Sequence, residues 1–317
     1  MKAQNTRVLT IGGDALAEAA RLIREGEPVA VPTETVYGLA ADATNPEAVE
    51  RIYAAKGRPS FNPLIVHVKD LAGGELLGIF SDPARALAGA FWPGALTLVV
   101  PVRENCGLAA GVTAGLPTVA LRCPAHPVMR GLLAAAGLPL AAPSANASGT
   151  ISPTRAEHVL ASLGGRIPLI LDGGPAERGL ESTIVAVEDG GVRLLRPGPI
   201  SFDDIAVFAT RNSSRACGDE RIEAPGQMRS HYAPAKPLRL DAVSAGPEEW
   251  LIGFGAVRGN DSLSPSGDVE EAAARLFDAL HRADAQARPR IAVAPIPDEG
   301  VGLAINDRLR RAAAPRP

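Results

Sequence analysis

Two cations stand together in the stretch Ala54-Ala55-Lys56-Gly57-Arg58-Pro59-Ser60-Phe61-Asn62-Pro63. The residues upstream predict a helix leading into it. Asn45 can cap orphan N–H groups, Pro46 suits the first helical position, and Glu47 suits the positive end of the dipole. Gly57 is a natural left-handed cap, and Pro59 blocks continuation. Lys56 and Arg58 therefore leave a helix end on a proline-braced loop. Cations there gain about 0.3–1 kcal/mol from the helix dipole with no ligand involved. The same cations on a rigid loop can instead hold a polyanion such as a nucleotide phosphate, with little ordering entropy lost. These ten residues alone allow both readings.

Other candidate groups sit at the ends of apolar runs. Ser144 and Asn146 follow Leu138–Ala142, where ligand clefts of α/β proteins lie, and they equally suit a plain turn. His67 lies within the strand-like run Leu64–Val68, as a satisfied core histidine or as a ligand contact. Arg122 closes Pro117–Leu121, and Arg196 stands in Leu194-Leu195-Arg196-Pro197-Gly198. Each is a cleft cation or half of a surface salt bridge.

Several chemistries are disfavoured. There is no G-x-x-x-x-G-K-[ST] loop, and Gly253-Phe254-Gly255 with Gly259 misses the dinucleotide spacing. No G-x-S-x-G elbow supports a serine nucleophile. Cys106, Cys123 and Cys217 are far apart, and His67, His126, His158, His231 and His281 do not cluster. A disulfide framework or zinc site is not expected. Asn146-Ala147-Ser148 and Asn212-Ser213-Ser214 match the glycosylation pattern, idle without secretion.

The elements that must position these groups follow from periodicity and breakers. Helices are expected over 14–25, 46–56, 127–136 and from Ser81 to the Trp92-Pro93-Gly94 stop. Another is expected after Ser152-Pro153, with Thr154 and Glu157 as a capping box. Strands are expected at 28–32, 64–68, 95–100, 117–121, 138–142, 168–171, 183–187 and 192–195. Helices and strands interleave, yet several strands follow one another closely, which predicts a mixed sheet. Composition loosens over 203–235, with Arg211-Asn212-Ser213-Ser214-Arg215 and Pro225-Gly226-Gln227, as in a linker. Beyond it, strands at 250–255 and 290–294 and helices at 269–288 and 301–313 predict a small α/β unit. The boundaries read as 1–205, 206–236 and 237–317.

The 317 residues allow two domains, and 46% hydrophobic composition allows a sizeable core built with few aromatics. Formal net charge of −3 argues against a surface built to grip long nucleic acid. With no secretory leader and no apolar run of membrane-spanning length, a soluble, cytoplasmic protein with no membrane partner is expected.

Motif order carries a resemblance. Pro32-Thr33-Glu34-Thr35-Val36-Tyr37-Gly38-Leu39, Lys56-Gly57-Arg58-Pro59, Asn62-Pro63-Leu64, Trp92-Pro93-Gly94, Pro143-Ser144-Ala145-Asn146-Ala147-Ser148-Gly149, Ser182-Thr183 and Arg196-Pro197-Gly198 occur in the order of the YrdC-like family. The match spans about residues 8–205 and is similar to the family's two-domain threonylcarbamoyladenylate synthases. Ser230-His231-Tyr232-Ala233-Pro234 resembles their linker motif, and Gly302-Leu303-Ala304-Ile305-Asn306-Asp307-Arg308 the end of their C-terminal domain. Gly226-Gln227-Met228-Arg229 departs from the glycine-methionine pair usual in that linker.

The resemblance implies a YrdC-like mixed twisted sheet flanked by helices, then a smaller Rossmann-like domain on a long linker. It implies that L-threonine, bicarbonate and ATP give threonylcarbamoyl-AMP and pyrophosphate, feeding a tRNA threonylcarbamoyl transferase complex that modifies adenosine 37. By the resemblance, Lys56 and Arg58 neutralise phosphates. Asn62, Thr118, Ser144, Asn146, Ser152 and Arg196 contact the nucleotide. Thr35, His67, Arg122, Ala142 and Ser182 form the threonine pocket. Mg²⁺ is expected on the ATP phosphates with no protein ligands, and no organic cofactor. We expect the linker to close over the site, with His231 and Tyr232 on the nucleotide and solvent excluded. The rival class is a double-stranded RNA- or tRNA-binding module with weak RNA binding and no adenylation. A second rival, carbamoyl transfer of the hydrogenase-maturation type, expects zinc-finger-like cysteine pairs that the chain lacks.

Overall fold

The computed structural model describes residues 5–188, 191–208 and 223–315. Cys217, Asn212-Ser213-Ser214 and residues 209–222 of the expected linker lie outside the described residues. In chain order, the elements are β1 (Arg7–Thr10), α1 (Gly13–Arg24), β2 (Val29–Val31), β3 (Gly38–Asp42), α2 (Pro46–Lys56), β4 (Ile65–His67), α3 (Leu71–Glu75) and α4 (Asp82–Phe91). Then come β5 (Leu96–Pro101), α5 (Ala110–Thr113), β6 (Thr118–Arg122), α6 (Pro127–Ala136), β7 (Leu140–Ala141), α7 (Ala156–Leu163), β8 (Leu169–Asp172), β9 (Thr183–Glu188), β10 (Gly191–Arg196) and α8 (Phe202–Ala206). The last part holds β11 (Leu238–Arg239), β12 (Glu249–Gly253), β13 (Asp261–Ser262), α9 (Val269–Asp284), β14 (Arg290–Val293) and α10 (Gly302–Ala313).

Among the described residues, ten strands form one sheet in the order β1-β8-β2-β3-β7-β4-β6-β5-β9-β10. Parallel pairs such as β4–β6 and β5–β9 alternate with antiparallel ones such as β5–β6 and β4–β7, so the sheet is mixed as expected. A second sheet, β11-β14-β12-β13, is parallel throughout and carries α9 and α10. Its parallel strands, with α9 linking β13 to β14, give this smaller unit its Rossmann-like character.

Strand alternation divides the large sheet into two faces. Val66, Leu98, Val100, Leu121, Val185 and Val187 point into the main core with Val49 and Ile52 of α2. Ile65, Val99, Ala120, Ile184 and Ala186 point to the opposite face, where Ala224 packs on them. His67 and Arg122 follow Ile65 and Ala120 by two residues and share that second face.

Local chemistry fixes the helix ends. Asn45 Oδ1 accepts hydrogen bonds from the Glu47 and Ala48 amides, and Gly57 caps α2 at φ 58°. Gly137 ends α6 in the same way at φ 70°. The capping box expected at Thr154 and Glu157 does not form, because α7 starts later, after Arg155. The carbonyls of Pro153 and Thr154 already accept from the amides of Tyr37 and Ala176, which holds that segment extended. Strand β1 was not expected; it is a mostly exposed edge with no apolar alternation to announce it.

Candidate active site

The loop that ends α2 meets the loop that follows β7. Lys56 Nζ donates to the carbonyl oxygens of Ser144 and Asn146, and the Ser148 amide donates back to the Lys56 carbonyl at 2.8 Å. Lys56 is 3% exposed. Burial, then the neighbouring charge of Arg58, push its pKa well below the ordinary lysine value. Arg58 donates from Nη2 to Asn62 Oδ1 at 2.7 Å and to the Pro63 carbonyl at 2.8 Å. Burial lowers its pKa to about 10. Arg196 reaches the Ser182 carbonyl at 2.9 Å and Ser182 Oγ at 3.2 Å, and burial lowers its pKa too. Among the described residues none of these three cations has a carboxylate partner; their acceptors are carbonyls, an amide and a hydroxyl.

Arg58 and Arg196 face a cleft that runs along the second face of the sheet, with Lys56 behind its lining. Its lining includes Thr35, Arg58, His67, Arg122, Ala142, Ser144, Ser182, Arg196, His231 and Tyr232. Register shows how the cleft runs. Strands β4 and β6 are parallel, with His67 beside Arg122 and Ile65 beside Ala120. Extending that register places Thr118 beside Pro63, at the Arg58 end. Thr118 is not in the lining; Arg122 lies about 13 Å further along β6 at ordinary strand rise.

At the His67 end, Arg122 Nη2 pairs with Glu34 Oε1 at 2.7 Å and its Nη1 donates to Thr35 Oγ1 at 2.9 Å. Burial pushes the Glu34 carboxyl up, but the charge and hydrogen bond of Arg122 outweigh it and hold the pKa at about 2. Thr97 Oγ1 and Ser182 Oγ share a hydrogen bond of 2.7 Å. Both ring nitrogens of His67 are buried without a partner among the described residues. Burial, then Arg122, lower its pKa to about 3, so the imidazole is neutral and offers a donor and an acceptor.

Four site candidates sit just behind the lining. Lys56 holds the Ser144 carbonyl, and Asn62 holds Arg58 while its Nδ2 lies 3.6 Å from Met228 Sδ. Asn146 donates from Nδ2 to the Thr150 carbonyl at 2.9 Å, leaving its Oδ1 buried and unpaired. Ser152 Oγ donates to Glu181, and its carbonyl meets His281 Nε2 at 3.1 Å.

The segment from Ala224 to Tyr232 covers the cleft. Pro225, Gly226, His231 and Tyr232 line it from above. The room left beneath is about 50 Å³, space for a few water molecules. Tyr232 Oη and His231 Nδ1 are buried and unpaired. Gly226 has φ 90°, and a Cβ there would lie 2.7 Å from Tyr232 Oη.

Sequence reasoning assigned no role to Glu34, Glu181 or Arg308. Glu34 stands inside a hydroxyl-rich motif, which was its one available signal. Glu181 and Arg308 pair across 127 residues, and nothing local marks such a pair.

A family model described as telomere recombination, for Sua5, YciO and YrdC proteins, matches residues 21–198. The chain belongs to this family. A second model, described as the threonylcarbamoyl-AMP synthase C-terminal domain, matches residues 200–314. The threonylcarbamoyl-AMP synthase of Bacillus subtilis is 43% identical, over 98% of this chain and 96% of its own. That of Schizosaccharomyces pombe is 37% identical, over 95% and 88%. The crystal structure of Pyrococcus abyssi Sua5 complexed with L-threonine superposes with a TM-score of 0.86 at 36% identity, covering 98% of this chain and 97% of that one. The match therefore includes both sheets and the segment between them.

Proposed function

We propose that this family member is a threonylcarbamoyl-AMP synthase that joins L-threonine, bicarbonate and ATP and releases pyrophosphate. One observation carries the reading. Buried Arg58 and Arg196 line one cleft with buried Lys56 just behind it, and among the described residues none of the three is hydrogen-bonded to a carboxylate. Buried charge without a counter-charge is unfavourable unless something supplies it, and a triphosphate does. The full-length relatives named for this activity, and the threonine complex of the Pyrococcus protein, support the other substrate.

The cleft divides the work by register. Arg122 and Thr35 at the end of β6 suit an amino-acid carboxylate, with Glu34 fixing the guanidinium. Neutral His67 suits a hydroxyl. Arg58, Asn62 and Ser144 lie at the opposite end of β4, toward Thr118, and suit the nucleotide. The threonine carbamate is already an anion, so its oxygen can attack the α-phosphorus once held in line, with pyrophosphate leaving toward the cations. In this reading Mg²⁺ would arrive with the triphosphate, where it would offset phosphate charge. The small volume under the Ala224–Tyr232 segment requires that segment to lift for ATP to enter and to close again over a product that water would hydrolyse. No helix among the described residues is long and apolar enough to cross a membrane. A cytoplasmic enzyme feeding a tRNA threonylcarbamoyl transferase complex fits this reading. Pyrophosphate release should need ATP, Mg²⁺, threonine and bicarbonate together. Release that persists without threonine would overturn the proposal, and RNA binding in its place would favour the RNA-module reading.

A further inference from the structure

A buried arginine of the C-terminal unit stands behind the cleft. Arg308 of α10 is 0% exposed. Its Nε donates to Glu181 Oε2 at 3.0 Å, and its Nη1 to Asp307 Oδ2 at 2.8 Å. Its guanidinium carbon lies 5.3 Å from the centre of the Tyr232 ring, within cation–π range. Nη2 is buried with no partner among the described residues. The same helix also holds the covering segment just before that ring. Arg311 Nη1 donates to the Met228 carbonyl at 2.7 Å, and the His231 amide donates to the Arg311 carbonyl at 3.2 Å.

Two features need an explanation. Tyr232 has φ 62°, a backbone region costly to a residue with a side chain. Its ring is fixed by His231 at 4.0 Å, Phe277 at 5.6 Å and Arg308. Glu181 is a carboxylate lining a cleft whose other charges are cations. Left free, it would swing to Arg196 or Lys56 and neutralise the charge a polyanion requires. In the structure its oxygens are instead engaged by Arg308 and by Ser152 Oγ.

We propose that Arg308 is a positioning residue for the reaction: it occupies Glu181 so that this carboxylate does not pair with the cations of the cleft, and it seats Tyr232 over them, so that the C-terminal domain completes the nucleotide site. The inference rests on the function proposed above. It assigns the C-terminal domain an electrostatic task beyond supporting a lid. The nucleotide needs Lys56, Arg58 and Arg196 unpaired with carboxylates, and Arg308 is the counter-charge that keeps Glu181 from them.

The test is a two-by-two comparison of Arg308→Gln and Glu181→Gln in the full chain, reading KM for ATP, KM for threonine and kcat by pyrophosphate release. Circular dichroism and melting curves check folding. Arg308→Gln should raise KM for ATP roughly tenfold and leave KM for threonine within about twofold. Adding Glu181→Gln should bring KM for ATP back to within about threefold of wild type, because the competing carboxylate is gone. A merely structural arginine predicts the reverse, a double variant no better than the single. An unchanged KM for ATP in folded Arg308→Gln, or no recovery in the double variant, overturns the inference. Should Arg308→Gln not fold, Arg308→Lys with and without Glu181→Gln carries the same comparison, since the shorter reach of lysine also frees Glu181. Wild-type protein without threonine-dependent release would instead sink the functional reading itself.

Discussion

Lys56 Nζ lies 2.5 Å from the carbonyl oxygen of Ser144 and 2.6 Å from that of Asn146, across 88 and 90 residues of chain. The ammonium thus shapes the loop after β7 as well as charging the cleft. Its desolvation is unfavourable and among the described residues no carboxylate bonds to it, so removing the charge relieves one penalty while unpairing two carbonyls. The two effects oppose. Lys56→Met should therefore change stability by no more than about 1 kcal/mol, a melting shift of about 4 °C or less for a chain this size. Pyrophosphate release should fall at least about 100-fold, the scale seen when a fixed electrostatic contact at a reacting centre is lost. A large loss of stability with activity retained per folded molecule would show that Lys56 is a strut only.

Gly226 is the tightest point of the cover. Its φ of 90° suits glycine, and an added Cβ would meet Tyr232 Oη at 2.7 Å and Arg196 Cδ at 2.9 Å. Neither the ring nor the guanidinium can retreat, since both are buried. Gly226→Ala should therefore lift the cover, not the core. The expected result is a KM for ATP raised about tenfold, a melting temperature within a few degrees of wild type, and faster trypsin cleavage at the exposed Arg229. Cleavage as slow as in wild type, with normal KM, would refute this account of Gly226.

What the sequence disclosed and what it hid divide along one physical line. The start and end of α2 and the bounds of α6 rest on contacts within four residues, so Asn45, Gly57, Pro127 and Gly137 announce them. The alternation of β4 and β6 was legible for the same reason. Ser144, just past β7, lines the cleft as expected, while the cleft also runs along a face of the sheet past Ile65 and His67. That placement depends on β9 pairing with β5, strands some 85 residues apart, which no local signal encodes. The bonds of Ser152 to Glu181 and of Arg122 to Glu34 are hidden for the same reason, although each residue type was visible. The failed capping box at Thr154 shows a local signal overruled by tertiary hydrogen bonds.

His158 of α7 and His281 of α9 stack with ring centres 3.8 Å apart where the two units meet. Asp278 Oδ1 lies 3.6 Å from His158 Nε2 and 3.0 Å from Arg155 Nε, and Thr154 faces the other ring nitrogen of His158. Burial, then the neighbouring His281, lower the His158 pKa from 6.5 to about 3, against the pull of Asp278; Arg155 and Arg282 add to the lowering. Burial lowers His281 as well. The sign follows from proton counts. Between pH 6.5 and about 3 the unfolded chain holds a proton on residue 158 that the folded chain refuses, so stability falls as pH falls through that window. For His158 alone the loss between pH 7 and pH 5 is about 2 kcal/mol. His158→Gln keeps an acceptor for the Thr154 amide and cannot titrate. Urea unfolding at the two pH values should show wild type losing about 2 kcal/mol more than the variant on acidification. Equal losses in the two proteins would mean that His158 is already protonated in the fold, with Asp278 outweighing burial and the stacked ring.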